Sequence, residues 1–401
     1  MKHALLAAGE ALYEPWPGTP RRRIEYGELR PHAIHRMVAE PGPVRVGFFM
    51  PTASVLAHAI NLLTFLQGLD QLEERMIQPI IYTFGEENPD FAKAFAGREI
   101  RYVRAECLIG YWQGLRAGAI ADNIAAMVFV SVAQGLAFAS SMGVAPKHIW
   151  WAHKWHGLQL PDLDGYIDAC HPFHEGEIEI AGHTWQSTYT ALPEMFDPVL
   201  TSQAQALRAG MSVATVFGWM GREDKITPHY IAAVIDILRA VPDSIYVYTG
   251  RRELDWVREV FAEAGLADRV AYLGWIPTRL WAQIIDIYLD TFPFQSGHCG
   301  YEAMAACKPV IWLHDDATAR EQSASGLIKA TWDRGAAEIF RGIEPWNDTV
   351  ERYVASAVHL AGAEDRVTFG SAYRAWLERF MMDKKRMAQS VSAAILDVIN
   401  G

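Results

Sequence analysis

A histidine lies between two glycines in the stretch "SGHCG", which the loop "TFPFQ" separates from the strand-like run "IYLD" and which precedes an alanine-rich helical pattern. The free N–H groups of a helix N-terminus carry partial positive charge, and glycines let a phosphate approach that backbone closely. Gly297, His298 and Gly300 therefore form a candidate phosphate site. Glu302, one turn later, can accept hydrogen bonds from two ribose hydroxyls. A plain strand–turn–helix connection explains the stretch equally well.

A lysine occupies a second loop between a strand and a helix, in "FGWMGREDKITPHYI". Lys225 precedes Pro228, a residue typical of the first turn of a helix. A lysine in this position can neutralise a departing diphosphate. A solvated surface charge is the alternative, and the position of Lys225 after the first strand of a new α/β pattern favours the functional interpretation.

Aromatic residues follow a third strand, in "YLGWIPTRLWAQ". Trp275 and Trp281 can stack on a nucleotide base, and the backbone of Ile276 can bind its edge. The alternative is that both are core aromatics, because the chain contains 14 tryptophans.

Histidines also follow strands in the first half of the chain. His58 comes after "VRVGFFM", and "WWAHKWHG" contains His153, Lys154 and His156. A histidine can act as a general base or orient an acceptor. A structural histidine is the more frequent case for any one of them. The pair Asp162 and Asp164 is more typical of a turn than of a metal site.

The elements that must position these residues are apolar strands alternating with helical patterns, which predict parallel sheets covered on both faces. The pattern restarts near Ala214. We therefore predict four parts: an N-terminal appendage over 1–43, α/β domains over 44–205 and 206–345, and a helical segment over 346–401. Ligands of such sheets bind beyond the carboxyl ends of the strands.

Composition excludes several classes of protein. The 401 residues include 36 Lys+Arg and 47 Asp+Glu, a net charge of -11, which disfavours nucleic acid as a partner. The four cysteines form no CxxC pair, so we expect reduced thiols and a cytoplasmic location. The uncharged segment Ala125 to Val144 has the length of a membrane span, but a buried strand followed by a buried helix is the favoured interpretation, and we predict no transmembrane segment.

Four stretches together resemble the GT-B glycosyltransferases, and more narrowly the O-linked N-acetylglucosamine transferases and bacterial protein N-glucosyltransferases. They are "KITPHYIAAVIDILRAVPDSIYVYTG", "RVAYLGWIPTRLW", "YLDTFPFQSGHCGYEAM" and "ACKPVIWL". The resemblance is most specific over 214–315 and weaker over 44–200. It implies an α/β fold of GT-B architecture, with two Rossmann-like parallel-sheet domains facing each other across a cleft.

The resemblance also implies roles for single residues. Lys225 would hold the diphosphate, and Glu302 would bind the ribose. Trp281 would lie against uracil. The phosphate site would be lined by His298, Cys299 and Gly300. The chain departs from the family in having "GHCG" where the family has "GHTT", and its acidic residue lies one position earlier.

These inferences predict a metal-independent glycosyltransferase that transfers a sugar from a UDP-sugar. His58, Lys225 and His298 are its predicted catalytic residues, and no cofactor is expected. The family's helical-repeat domain for protein acceptors has no counterpart in residues 1–43, so the acceptor is either a protein or peptide, or a small molecule or glycan. Two alternatives stay open: a UDP-sugar 2-epimerase, and a degenerate protein that binds a nucleotide-sugar or supports a partner.

Overall fold

The computed structural model describes residues 42–131, 133, 135–153, 162–168, 175–180, 182–314 and 323–401. The chain divides into two compact units. Unit 1 contains the chain up to Pro193 together with Asp383–Gly401, and unit 2 contains Glu194–Met382. The predicted appendage over 1–43 lies outside the described residues except for its last two positions.

The strands of the described residues divide between two sheets. Their bounds are β1 Val44–Met50, β2 Ile77–Phe84, β3 Ile100–Val103, β4 Ala126–Phe129, β5 Lys147–Ala152, β6 Gly165–Asp168, β7 Gly176–Ile180, β8 His183–Ser187, β9 Thr215–Trp219, β10 Ser244–Tyr248, β11 Val270–Tyr272, β12 Ile287–Leu289, β13 Val310–Leu313 and β14 Trp346–Asn347.

The helices of the described residues connect these strands. Their bounds are α1 Ala57–Leu69, α2 Pro89–Ala94, α3 Leu108–Ala121, α4 Leu136–Ser141, α5 Thr201–Ala209, α6 Pro228–Ala240, α7 Asp255–Glu263, α8 Thr278–Ile284, α9 His298–Ala305, α10 Ala324–Ala330, α11 Ala336–Ile339, α12 Val350–Leu360, α13 Ala363–Phe380 and α14 Lys384–Asn400.

The sheet of unit 1 has the strand order β3-β2-β1-β4-β5-β6-β8-β7. Its pairs are parallel except for the antiparallel hairpin of β7 and β8. The apolar strand β1 is buried from Val46 to Met50, as expected for a parallel strand covered on both faces. The strand order reverses between β1 and β4, which marks the topological switch point where such sheets bind ligands.

The C-terminal helix α14 belongs to unit 1. Met387, Val391 and Ile395 are fully buried in the same apolar core as helix α1. Gly68 of α1 permits this contact, because a Cβ at that position would lie 2.0 Å from the carbonyl oxygen of Lys384. The predicted helical segment over 346–401 is therefore divided: α12 and α13 lie in unit 2 and α14 in unit 1.

The sheet of unit 2 has the order β11-β10-β9-β12-β13-β14, and all its pairs are parallel. Strand β9 is buried at every position. In the sequence order of the unit's own strands this is 3-2-1-4-5-6, the order of dinucleotide-binding folds. The switch point lies between β9 and β12, and these are the strands that precede Lys225 and His298.

The predicted α/β fold with two parallel-sheet domains is confirmed. The predicted boundary at residue 205 falls inside helix α5, whereas the contacts of the chain divide it at residue 193. The uncharged segment from Ala125 contains strand β4 and helix α4. Within the described part of the chain, no helix is long and apolar enough to cross a membrane.

Candidate functional site

The loops after β9 and β12 meet at the switch point of unit 2. The Nζ atom of Lys225 donates a hydrogen bond to the backbone oxygen of Gln295 over 2.7 Å. The hydroxyl of Thr227, which caps helix α6, donates to the backbone oxygen of Phe292 over 3.2 Å. The structure thus brings Lys225 to the segment that leads into "SGHCG", although 70 residues separate the two along the chain.

A buried carboxylate shapes the loop after β12. Asp290 has no exposed surface, and its two oxygens accept from the backbone N–H of Ser296 over 2.9 and 3.1 Å. Burial raises the pKa of Asp290 to about 7, while the hydrogen bonds from Ser296 and the charge of Lys225 act in the opposite direction. The hydroxyl of Tyr353 donates to the backbone oxygen of Asp290 over 3.0 Å. Buried hydrogen bonds to Asp290 therefore fix the start of this loop.

The start of helix α9 carries four of the predicted site residues. Open space surrounds Gly297, so a ligand can approach its backbone. His298 and Cys299 begin the helix and are half-buried. Burial, together with the nearby carboxylate of Glu302, raises the pKa of the Cys299 thiol to about 12. The thiol therefore stays protonated at neutral pH.

Gly300 has a packing role that the sequence did not reveal. A Cβ at this position would lie 2.9 Å from the Cη2 atom of Trp312 and 3.0 Å from the Oγ atom of Ser296. The buried indole of Trp312 and the hydroxyl of Ser296 fill the space that a side chain would need. A threonine at this position is therefore excluded by Trp312.

Glu302 lies one turn into α9 and is 8% exposed. Its Oε1 atom is 3.7 Å from Nε of Arg279 on helix α8, and among the described residues its buried Oε2 atom has no hydrogen-bond partner. Burial raises the pKa of Glu302, whereas the hydroxyl of Thr278 and the charge of Arg279 lower it. An unpaired buried carboxylate oxygen is costly, which makes it a candidate for accepting a ligand hydroxyl. Sequence reasoning missed Arg279 and Thr278, although both begin the helix that follows β11.

The two candidate stacking tryptophans lie in different surroundings. Trp281 is partly buried against the apolar cluster of Ala204, Leu280 and Ile284. Trp275 is 69% exposed, and the guanidinium carbon of Arg251 lies 5.7 Å from its ring centroid. Of the two rings, Trp275 is the more exposed.

The loop that contains Ile276 is tied to its neighbours. The N–H of Gly250 donates to the oxygen of Gly274 over 3.3 Å, and Tyr272 donates its hydroxyl proton to the oxygen of Gly250 over 2.9 Å. Ile276 itself is half-buried. The loops after β10 and β11 therefore form one connected edge of the sheet.

In unit 1, His58 lies on the first turn of α1, beyond the carboxyl end of β1. One turn later, the Nδ2 atom of Asn61 is 3.4 Å from the Nδ1 atom of His153, which follows β5. The ring of His153 packs against Trp151, with 4.2 Å between the ring centroids. The carboxyl edge of this sheet thus gathers two of the predicted histidines, whereas Lys154 and His156 lie outside the described residues.

Among the described residues, no group of three or more His, Cys, Asp or Glu side chains could hold a metal ion. The expectation of metal-independent chemistry stays a prediction.

No family model matches the chain, and no curated protein matches it by sequence. Several solved structures, in contrast, superpose on the chain. A mutant of the O-GlcNAc transferase of Thermobaculum terrenum superposes with a TM-score of 0.62 at 17% identity, covering 99% of this chain and 77% of that one. HepE of Anabaena, in complex with UDP and glucose, has a TM-score of 0.58 at 12% identity, with 88% and 100% covered.

A third structure, a putative UDP-N-acetylglucosamine 2-epimerase of Listeria monocytogenes, has a TM-score of 0.50 at 12% identity and covers 90% of this chain and 97% of that one. Identities this low show architecture and nothing finer. The superpositions and the two sheets together show that the chain has the GT-B fold. This is the fold that its resemblance to glycosyltransferases implied.

Proposed function

We propose that the chain is a glycosyltransferase that uses a UDP-sugar as donor and requires no metal ion. The observation that carries the proposal is the contact between Lys225 and Gln295 at the switch point of unit 2. This contact places a cation next to the loop that leads into the N-terminus of α9. A cation and a helix N-terminus together are a site for a diphosphate.

The proposed donor site divides by chemistry. The diphosphate lies against Lys225 and the N-terminus of α9, where Gly297 leaves room and His298 and Cys299 supply N–H and S–H donors. The ribose hydroxyls donate to the buried carboxylate of Glu302. HepE of Anabaena, which shares this fold, was solved with UDP and glucose bound.

The proposed reaction moves the sugar and leaves UDP. An acceptor hydroxyl or amide nitrogen attacks the anomeric carbon, the bond from that carbon to the β-phosphate oxygen breaks, and the acceptor loses its proton. Negative charge grows on the β-phosphate as the bond breaks, so Lys225 and the helix end bind the transition state more strongly than the ground state. His58, on the first turn of α1, is the proposed group that takes the acceptor proton.

The same groups are the reason why we propose that no metal ion is required. In many transferases the diphosphate charge is neutralised by a divalent cation. Here the Lys225 amine and the α9 N-terminus occupy the corresponding chemical role. The experiment below identifies the sugar and shows whether the acceptor is a protein, a peptide, a glycan or a small molecule.

The test incubates the chain with UDP-glucose and UDP-N-acetylglucosamine, each with and without a set of peptide and saccharide acceptors. Release of UDP and a product heavier than the acceptor by one sugar are expected, and Lys225→Met is the matched control. Acceptor-free conversion of UDP-N-acetylglucosamine into its 2-epimer, seen by NMR, would instead establish the epimerase alternative. Binding of UDP-sugar without turnover would establish the degenerate binder.

A further inference from the structure

Gln295 occupies the centre of a hydrogen-bond network around Lys225. Its backbone oxygen accepts from the Lys225 amine over 2.7 Å. Its side-chain Nε2 atom donates to the backbone oxygen of Leu313, at the end of β13, over 2.9 Å. One residue thus joins the loops that follow β9 and β12 to the end of strand β13.

The side chain of Gln295 is also held from a second direction. The Oγ atom of Ser325 lies 2.9 Å from its Nε2 atom and 3.0 Å from its Oε1 atom. The same Oγ atom is 2.9 Å from Nδ1 of His314. Ser325 and His314 are 1% and 6% exposed. Water has little access to Ser325 and His314, so loss of their contacts to Gln295 is costly.

We infer that Gln295 is a positioning residue for Lys225, held in place by Ser325 and His314. Its anchored side chain sets the direction of its backbone carbonyl, and that carbonyl sets the position of the Lys225 amine. The inference rests on the proposed role of Lys225 at the diphosphate. A lysine has a long flexible stem, and a small displacement of a catalytic group lowers the rate strongly.

The decisive experiment is a double-mutant cycle of Gln295→Met and Lys225→Met, with kcat and the KM of the UDP-sugar as readouts. Gln295→Met is expected to lower kcat about tenfold to a hundredfold, with a KM changed less than about threefold. In the Lys225→Met background the same change should alter kcat less than about twofold, because Gln295 acts through the missing amine. Equal losses in both backgrounds would overturn the inference.

Ser325→Ala provides a second route if Gln295→Met folds poorly, since it removes a single atom of the network. It should reproduce the loss in kcat and the dependence on Lys225. Ser244→Ala is the matched control: Ser244 begins strand β10 of the same unit, is 2% exposed, and its hydroxyl donates to the backbone oxygen of Val241. This variant should keep its kcat even if it is less stable.

A readout independent of turnover separates this inference from the proposed function. In protein labelled with 13C-lysine, the Lys225 side-chain signals are those missing from the Lys225→Met spectrum. In the wild type, the chemical shifts of these signals should differ from those of exposed lysines, and their lines should be broad. In Gln295→Met, the lines should be narrow and the chemical shifts should lie closer to those of exposed lysines. Unchanged signals would refute the positioning role, whatever the enzyme does. A wild type without turnover but with the expected signals would contradict the proposed function alone.

Discussion

Replacement of Asp290 by asparagine should change the pH dependence of stability. The carboxyl group is fully buried, and burial raises its pKa from the ordinary 3.8 to about 7. Between these two values the folded protein holds a proton that the unfolded chain releases. The contribution of Asp290 to wild-type stability therefore falls as the pH rises from about 4 to about 7 and is level above that. At about 1.4 kcal/mol per pKa unit, the loss is on the order of 4 kcal/mol.

Asparagine keeps an oxygen that can accept from the N–H of Ser296, and it carries no charge at any pH. The free energy of unfolding of Asp290→Asn relative to the wild type should therefore rise by a few kcal/mol between pH 4 and pH 8. Urea titrations at four pH values measure this difference, and contributions from shared groups cancel. Asp333→Asn, at an exposed aspartate, is the control. A difference for Asp290→Asn that does not change with pH would show that the buried carboxyl titrates normally.

Three further predictions concern the proposed donor site. Lys225→Met should lower turnover by about 10²–10³, and the loss of its hydrogen bond to Gln295 should cost about 1 kcal/mol of stability; near wild-type turnover would remove Lys225 from the diphosphate site. Activity should survive EDTA, because Lys225 and the end of α9 meet the diphosphate charge; complete loss that Mn²⁺ or Mg²⁺ restores would contradict this mechanism. If the exposed ring of Trp275 stacks on the base, Trp275→Ala should weaken UDP binding by about 1–3 kcal/mol, whereas Trp281→Ala should chiefly lower stability. Calorimetric titration of UDP into both variants measures the two affinities. A larger loss of affinity in Trp281→Ala would support the assignment of Trp281 to the base that the resemblance implies.

The strands that bear the candidate residues could be predicted from the sequence because each is a continuous apolar run. The run around β9 and the restart near Ala214 predicted the second sheet correctly. Strand β7, "GEIEI", could not be found in this way, since most of its residues face solvent and only Ile180 is buried. The packing of α14 in unit 1 could not be predicted from the sequence either, because the pattern of an amphipathic helix does not show which sheet the helix will cover.

The candidate site was predictable to the level of loops and no further. The rule that ligands bind beyond the carboxyl ends of strands led to the segments around Lys225, His298 and Glu302. The contacts within the site join residues far apart in the chain, such as Arg279 with Glu302, and no local pattern encodes such pairs. The same limit applies to the tryptophans: "GWIPTRLW" does not show which indole packs against α5 and which faces solvent.

The difference between "GHCG" and the family's "GHTT" has a structural cause. Trp312 and Ser296 occupy the space beside Gly300, so a threonine hydroxyl there is sterically excluded. At the preceding position, the pKa of about 12 keeps the Cys299 thiol neutral, and a thiol is a weaker donor than a hydroxyl. Under the proposed function, more of the charge that develops on the departing diphosphate must then be met by Lys225. The steric cause at Gly300 means that the absence of a threonine there is no argument by itself for a degenerate site.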